Sequence, residues 1–309
     1  MMTSVTAPER ARLLGAELAD LVNAPAELVA ALRRGLPTLR DPGYAEFQHR
    51  IAPGLGPSAG VRSSIQSALR RSLDRELAGV RPSTLLYVAD ALSKEDVAEI
   101  RWLAIGLLER ILPEDPERAW QLLRRLARHA GEWITVDLLA RPYGLGILRE
   151  TYRWAELEQL TYSPSRWERR LVGSTVATLP FVDRAAGRTP AIADRGIALV
   201  GDLIGDAEPE VQKALSWGLR NLTIVDADRV ETFCREQADL ARRSSDGHRA
   251  WVVRDTLAKL PPEPAGDLKR TLDGIRRRPH APSTSRAAAI ASAFGRLPDP
   301  RDAAEPPLT

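Results

Sequence analysis

Apolar residues recur every three or four positions along most of this chain, the spacing that places them on one face of an α-helix. Five segments show the pattern most clearly: RARLLGAELADLV at 10–22, SSIQSALRRSLDREL at 63–77, VAEIRWLAIGLLERIL at 97–112, RAWQLLRRLARHA at 118–130 and VQKALSWGLRNL at 211–222. No convincing run alternates apolar and polar positions with β-branched side chains, as a half-buried strand does. The sequence therefore predicts an all-α fold.

Turn-forming residues divide this helical pattern into segments. Pro, Gly and capping residues cluster at 53–60, 80–83, 112–116, 161–165, 206–210 and 260–266. Several of these clusters end in a residue suited to begin a helix. From about residue 95 to 260 the helices between the breaks are about 12–18 residues long, and they carry apolar residues on more than one face.

Three segments repeat a charged start that leads into an apolar helix containing Ala or Gly: residues 99–110, 165–179 and 210–222. They suggest a period of about 35–45 residues, which is typical of HEAT-like repeats. Each helical pair in such an array buries its apolar faces only against neighbouring pairs. We therefore predict a HEAT-like helical-repeat solenoid, an α–α superhelix, with an ordinary helical bundle as the alternative.

The same breaks suggest how the chain is organised. Residues 1–60 resemble a separate N-terminal helical cap, and residues 61–278 contain the repeats. Residues 279–309 are rich in Ala, Pro and Ser, so we expect a disordered tail.

Charge places one condition on any binding function. The 309 residues include 44 basic and 41 acidic side chains, for a net charge of +3, so nucleic-acid binding requires a local patch. Only four of the basic residues are lysines, and a coding bias explains this arginine excess as well as function does. Five of the ten residues 269–278 are basic, which suits phosphate contact but suits a solvated helix end better.

Several classes of function find no support in the sequence. The N-terminus has acidic residues within its apolar stretch, and no run of about 18 apolar residues occurs, so we expect a soluble cytoplasmic protein without a signal peptide or membrane span. The single cysteine forms no disulfide framework, and the four histidines are scattered, so we expect neither a metal nor a cofactor. Four aspartates are candidate acids that the sequence alone does not pair: Asp137, Asp183, Asp202 and Asp255.

Three segments combine aromatic, basic and acidic residues. Trp133 and Asp137 are four apart and share a helix face, although this spacing alone favours a buried Trp beside a surface Asp. Arg169 and Arg170 follow Trp167 near a helix start at 163–175. A third helix carries Lys213, Trp217 and Arg220, with Gly218 leaving room beside the indole.

At these segments the chain resembles the AlkD-type DNA alkylation repair family, which comprises HEAT-like-repeat DNA glycosylases. The family shows a W-x-x-x-D motif, then a W-x-R-R helix start, then a K-A-[IL]-x-W-x-L-R helix. Here they stand in that order as WITVD at 133–137, WERR at 167–170 and KALSWGLR at 213–220. The resemblance covers roughly residues 95–240; the first 90 residues match loosely, and the tail does not match.

The resemblance implies hydrolytic removal of cationic N3- or N7-alkylpurines from duplex DNA by a monomer, without base flipping, so that bulky adducts are accepted. By similarity, Asp137 stabilises the cationic sugar and positions water, while Trp133 and Trp217 flank the deoxyribose. Phosphates beside the lesion are bound by basic residues: Arg169, Arg170, Lys213 and Arg220. Two alternatives stay open: a HEAT-like DNA-binding or scaffold protein without catalysis, and a self-resistance glycosylase specialised for bulky natural-product adducts.

Overall fold

A computed structural model describes residues 6–294, which contain sixteen α-helices, four short 3₁₀ turns and no strand. They divide into two compact units, one ending at Arg149 and one beginning at Glu150. The helices of the first unit are α1 (Ala7–Asp20), α2 (Pro25–Gly35), α3 (Pro42–Ile51), α4 (Ser63–Glu76), α5 (Pro82–Ser93), α6 (Ala98–Ile111), α7 (Pro116–His129) and α8 (Trp133–Arg149). Those of the second are α9 (Arg153–Gln159), α10 (Arg166–Val182), α11 (Pro190–Leu203), α12 (Pro209–Leu222), α13 (Ala227–Ser244), α14 (Gly247–Thr256), α15 (Pro262–Thr271) and α16 (Arg286–Phe294).

Proline and capping residues set many of the helix starts, as the sequence predicts. Proline supplies a fixed φ where the missing N–H costs nothing, at the first position of a helix. It does so in seven helices: α2, α3, α5, α7, α11, α12 and α15. At the starts of α3, α10, α13 and α14, a capping side chain accepts a backbone N–H group; these side chains are Asp41, Ser165, Asp226 and Asp246.

In the first unit, α6 and α8 lie side by side. The Trp102 indole on α6 donates to the Thr135 hydroxyl on α8 at 2.8 Å, and further along both helices Arg141 pairs with Glu109 at 2.6 Å. The second contact lies further along the chain than the first on both helices, so α6 and α8 run in the same direction. Parallel neighbours separated by one intervening helix are what a stack of helical pairs produces.

The second unit repeats this arrangement with α10, α12 and α14. Asn221 on α12 donates to the Ala177 carbonyl on α10 at 2.8 Å, and a Cβ at Gly173 would meet the Ala214 backbone at 2.8 Å. Glycine at 173 therefore allows the two helices to approach closely. Gly218 also faces α10, where its Cβ would meet the Gly173 carbonyl, so it contributes to helix contact rather than to space beside the indole.

The predicted all-α helical-repeat fold is confirmed, but the organisation differs from the sequence-based division at residue 60. The Ser72 hydroxyl on α4 donates to the Arg12 carbonyl on α1 at 2.8 Å, and Gly15 packs against the Leu69 backbone. Residues 6–60 are therefore part of the first unit. The apolar pattern shows which face of α1 is buried but does not identify α4 as its partner.

The predicted tail at 279–309 also differs where the structure describes it. Residues 286–294 form α16, which packs against α11, and Ser285 accepts the Ala288 backbone N–H at 3.1 Å. A capping serine before an alanine-rich stretch favours helix. Residues 295–309 lie outside the described part of the chain. No helix within 6–294 is long and apolar enough to cross a membrane.

Candidate functional site

The predicted Trp–Asp pair lies at the start of α8. Trp133 is the first residue of the helix and Asp137 follows one turn later, so they share a face, and both are half-buried. The buried residue Glu132 precedes the helix, and its carboxylate accepts the backbone N–H groups of Ile134 and Thr135. These donors have no partner within a helix. Glu132 thus caps α8 and stabilises the first helical turn, which carries Trp133.

The end of α3 holds the Trp133 indole. Its Nε1–H donates a hydrogen bond of 2.9 Å to the backbone carbonyl of Ile51, the last residue of α3. In the following loop, Gly54 has a φ of +105°, and a Cβ there would lie 2.8 Å from the Gly131 carbonyl oxygen. Glycine satisfies both the backbone angle and the close approach. The loop therefore packs directly against the segment that leads into α8.

Glu99 on α6 anchors the same loop. Its buried carboxylate accepts four hydrogen bonds of 2.9–3.2 Å, from the Ser58 hydroxyl and the backbone N–H groups of Ala59, Gly60 and Val61. Hydrogen bonds to an ionised carboxylate are roughly twice as strong as neutral ones. The loop that supports Trp133 is thus held to the core of its unit by charge-assisted bonds.

Arg169 and Arg170 are the fourth and fifth residues of α10, and both contact carboxylates. Arg169 donates to Asp206 at 2.7 Å and to the Ser163 carbonyl at 2.9 Å. Arg170, whose side chain is 6% exposed, donates to the backbone carbonyl of Glu210 at 2.7 Å and to its carboxylate at 3.2 Å. Both arginines tie α10 to the segment around the start of α12. Arg170 presents little surface to a phosphate, and phosphate binding by the pair stays a prediction.

Trp217 lies on α12 between two basic residues that share its face. Lys213, one turn before it, is exposed and pairs with Glu210 at 2.9 Å. Trp217 itself is half-buried. Its ring is therefore accessible in part, as contact with a ligand requires.

Arg220 follows on the same face and is paired with Asp255 on α14. Its guanidinium donates to the Asp255 carboxylate and, at 3.1 Å, to the Asp255 carbonyl. The Ser216 hydroxyl donates to the same carboxylate at 2.7 Å. The sequence named Asp255 as a candidate acid, and its contacts show that it is the counter-ion of Arg220.

The other two candidate acids have structural contacts. Asp183 accepts the backbone N–H groups of Ala186 and Ala185, and these hydrogen bonds hold the pKa of its carboxyl below the usual value. Asp202 pairs with Arg286 at 3.4 Å. Asp137 is the candidate acid that lies one turn after a half-buried Trp at the start of a helix.

A cavity of about 590 Å³ in the first unit lies on another side of the α8 start. Glu132 and Thr135 are among its lining residues, but Trp133 and Asp137 are not. The predicted pair therefore stands on a helix surface rather than inside this cavity. The part of the chain that the structure describes has no cluster of three or more His, Cys, Asp or Glu side chains suited to a metal.

Sequence reasoning missed Glu132 as the cap of α8 and the role of Asp255, which it named as a candidate acid but not as the counter-ion of Arg220. It also missed the Ile51 contact, which is made by a backbone carbonyl and so carries no side-chain signal. The sequence carries no capping-box signal at this point, since that motif has Ser or Thr first and Glu or Gln three residues later, the reverse of Glu132 and Thr135.

Comparison with known proteins gives both fold and family. A solved structure described as a predicted DNA alkylation repair enzyme from Enterococcus faecalis matches with a TM-score of 0.53 at 16% identity, over 76% of this chain and 97% of that one. A search of curated proteins finds no significant match. The family model for DNA alkylation repair enzyme matches residues 32–259, a range that includes all seven predicted site residues. The chain belongs to the DNA alkylation repair enzyme family.

Proposed function

We propose that this protein is a DNA glycosylase that hydrolyses the N-glycosidic bond of cationic N3- or N7-alkylated purines in duplex DNA. The observation that carries the proposal is the placement of Trp133 and Asp137 on one partly exposed face at the capped start of α8. Membership of a DNA alkylation repair family supports it. The proposed catalytic residues are Asp137, Trp133 and Trp217, and no cofactor takes part.

The chemistry asks for stabilisation of one positive charge. An alkylated purine already carries that charge, so when the bond to C1′ breaks, the electron pair leaves with the base and the base becomes neutral. No acid has to protonate the leaving group, unlike in glycosidases that use two carboxylates. The sugar is left with oxocarbenium character until water adds to C1′ and releases a proton. One carboxylate beside C1′ is therefore sufficient.

Asp137 is suited to this task. A half-buried carboxylate acts on a nearby cation through a lower effective dielectric than bulk water provides, so its attraction to the sugar is strengthened. It also accepts a hydrogen bond from the attacking water and orients it. The capped start of α8 fixes its position before substrate arrives, so little reorganisation is needed.

By the family resemblance, the indoles of Trp133 and Trp217 are both proposed to stabilise this charge by their π faces. A cation over an indole face gains about 0.5–2 kcal/mol. The bond from Trp133 to the Ile51 carbonyl restricts the rotation of that ring and keeps one face in a defined direction. Trp217 on α12 is also partly exposed.

The proposal includes recognition of the lesion within the duplex by a monomer. Most enzymes that act on bases extrude the target into a pocket. Here Trp133 and Asp137 stand on a helix surface and do not line the 590 Å³ cavity, which supports attack on the sugar without base flipping. A lesion that is never enclosed is not limited in size, so bulky adducts are substrates as well.

The test is incubation of the full-length protein with duplex DNA that carries N3-methyladenine and N7-methylguanine. We expect free base and abasic sites to accumulate in equal amounts, and a duplex with a bulky N3-adenine adduct to react at a comparable rate. A non-catalytic DNA-binding protein would form a salt-sensitive complex with the duplex and release no base. That outcome, beside an active control glycosylase, contradicts the proposal.

A further inference from the structure

The segment between α15 and α16 contains three consecutive arginines, Arg276 to Arg278. No acidic residue lies between Asp273 and Arg286, the first residue of α16. The segment falls outside residues 32–259, the range of the family match. It is therefore a concentration of positive charge that the family relationship does not account for.

Two contacts fix the backbone on either side of the first of these arginines. The guanidinium of Arg254 on α14 donates to the carbonyl oxygens of Leu272, at 2.6 Å, and Ile275. Arg277 donates to the Gln212 side-chain oxygen on α12 at 2.9 Å, and its guanidinium lies 4.8 Å from the Trp251 ring centroid. The arginine run is thus held against the first turn of α12, the helix that carries Trp217.

Contacts further along the chain keep the segment in place. The Gln212 amide donates to His248 Nδ1 at 3.1 Å, so the ring proton is on Nε2, which donates to the Ala281 carbonyl at 3.1 Å. The backbone N–H of Thr284 donates to the Gly205 carbonyl at 2.9 Å. Such a segment loses little conformational freedom when it binds a ligand.

Arg276 and Arg278 leave their charge available. The Arg276 side chain is 66% exposed, and its ion pair with Asp273 is long, at 3.9 Å, with the carboxylate 86% exposed. Arg278 is exposed and has no ion pair within residues 6–294. Burial, together with repulsion from Arg276, lowers the pKa of Arg254, although the nearby Asp273 carboxylate acts in the opposite direction.

These properties contrast with those of the arginines predicted from the sequence. Arg169, Arg170 and Arg220 are each in contact with a carboxylate. A phosphate has to displace that carboxylate, so the free energy gained by binding the phosphate is reduced by the free energy of the ion pair that is broken. Arg278 meets a phosphate without that competition, and Arg276 has only a long, solvent-exposed ion pair with Asp273 to give up.

We infer that Arg276 and Arg278 form a phosphate clamp for the backbone of duplex DNA beside α12, held in position by Arg277. The inference rests on the proposed function, since it assigns the DNA backbone as the partner. A clamp of this kind adds affinity that does not depend on sequence or on the lesion.

The test compares full-length variants in fluorescence-anisotropy titrations with an undamaged duplex over a series of salt concentrations. Arg276→Ala combined with Arg278→Ala is expected to weaken binding on the order of tenfold and to reduce the slope of log affinity against log salt by about two. Arg276→Lys with Arg278→Lys keeps the charges and should bind nearly as wild type. Arg242→Ala with Arg243→Ala removes the same charge from the exposed end of α13 and serves as the control.

The outcomes separate this inference from the proposed function. If wild type binds duplex DNA but the alanine pair at 276 and 278 behaves as the control pair does, the clamp is wrong while the proposed function stands. If wild type shows no salt-dependent binding, both fail. Equal thermal unfolding of the variants excludes misfolding as the cause, and recovery of the salt slope in the lysine pair identifies the effect as electrostatic.

Discussion

Individual arginines of this protein differ in their surroundings, and these differences decide which of them can meet a phosphate. Arg170 is buried against Glu210, whereas Arg220 is partly exposed beside an exposed carboxylate, Asp255. Sequence motifs identify the residue type and its place on a helix but not the counter-ion, which comes from a separate helix. Among the predicted DNA contacts, Arg170 therefore acts mainly in packing, whereas a phosphate can replace the carboxylate partner of Arg220.

The Arg220–Asp255 pair gives a test at this scale. Asp255→Asn keeps the size of the side chain and removes the charge that competes with phosphate for Arg220. We expect duplex DNA to bind more tightly because the competing negative charge is gone. The expected gain is only about threefold to tenfold because the pair is partly exposed and weak in itself. Anisotropy titration at one fixed salt concentration measures this. The matched control is Asp239→Asn on α13, and equal affinity in the two variants would mean that Asp255 does not restrain Arg220.

At the scale of helices, the sequence predicts the elements well and their contacts poorly. The apolar spacing and the Pro-rich breaks indicate most helix starts, including those of α5, α7 and α12. Which helices become neighbours depends on small residues, as at Gly173, where α10 approaches the backbone of α12. From the sequence alone, a glycine within a helix indicates only a lower helix stability, because the helix it packs against is not known.

Substitution at Gly173 tests this contact. Gly173→Ala places a methyl group 2.8 Å from the Ala214 backbone, which cannot move as a flexible side chain can. We expect the free energy of unfolding to fall by about 1–3 kcal/mol, measured by urea denaturation.

The control for this change is Gly266→Ala on α15, where the nearest atom is the end of the Arg270 side chain at 3.6 Å. Alanine is the better helix former, so this variant is expected to gain about 0.5–1 kcal/mol. Equal stability of the two variants would show that the α10–α12 contact does not need glycine at 173.

At the scale of the whole molecule, the all-α repeat fold and the family were predictable, whereas the division of the chain was not. The three motifs at 133–137, 167–170 and 213–220 lie within the family match. Packing of α1 on α4 joins residues 6–60 to the first unit, which ends at Arg149, and no local pattern records that packing. The C-terminal segment carries helix α16 because alanine content favours helix as well as disorder.

The proposed mechanism depends most on Asp137, because one carboxylate is assigned both the stabilisation of the cationic sugar and the orientation of water. Its most direct test is the single-turnover rate of base release from duplex DNA containing N7-methylguanine, compared between wild type, Asp137→Asn and the control Asp239→Asn. We expect Asp137→Asn to lower the rate by about 10²-fold or more, while Asp239→Asn matches wild type and all three proteins bind the duplex equally. Base release by Asp137→Asn at the wild-type rate would contradict it.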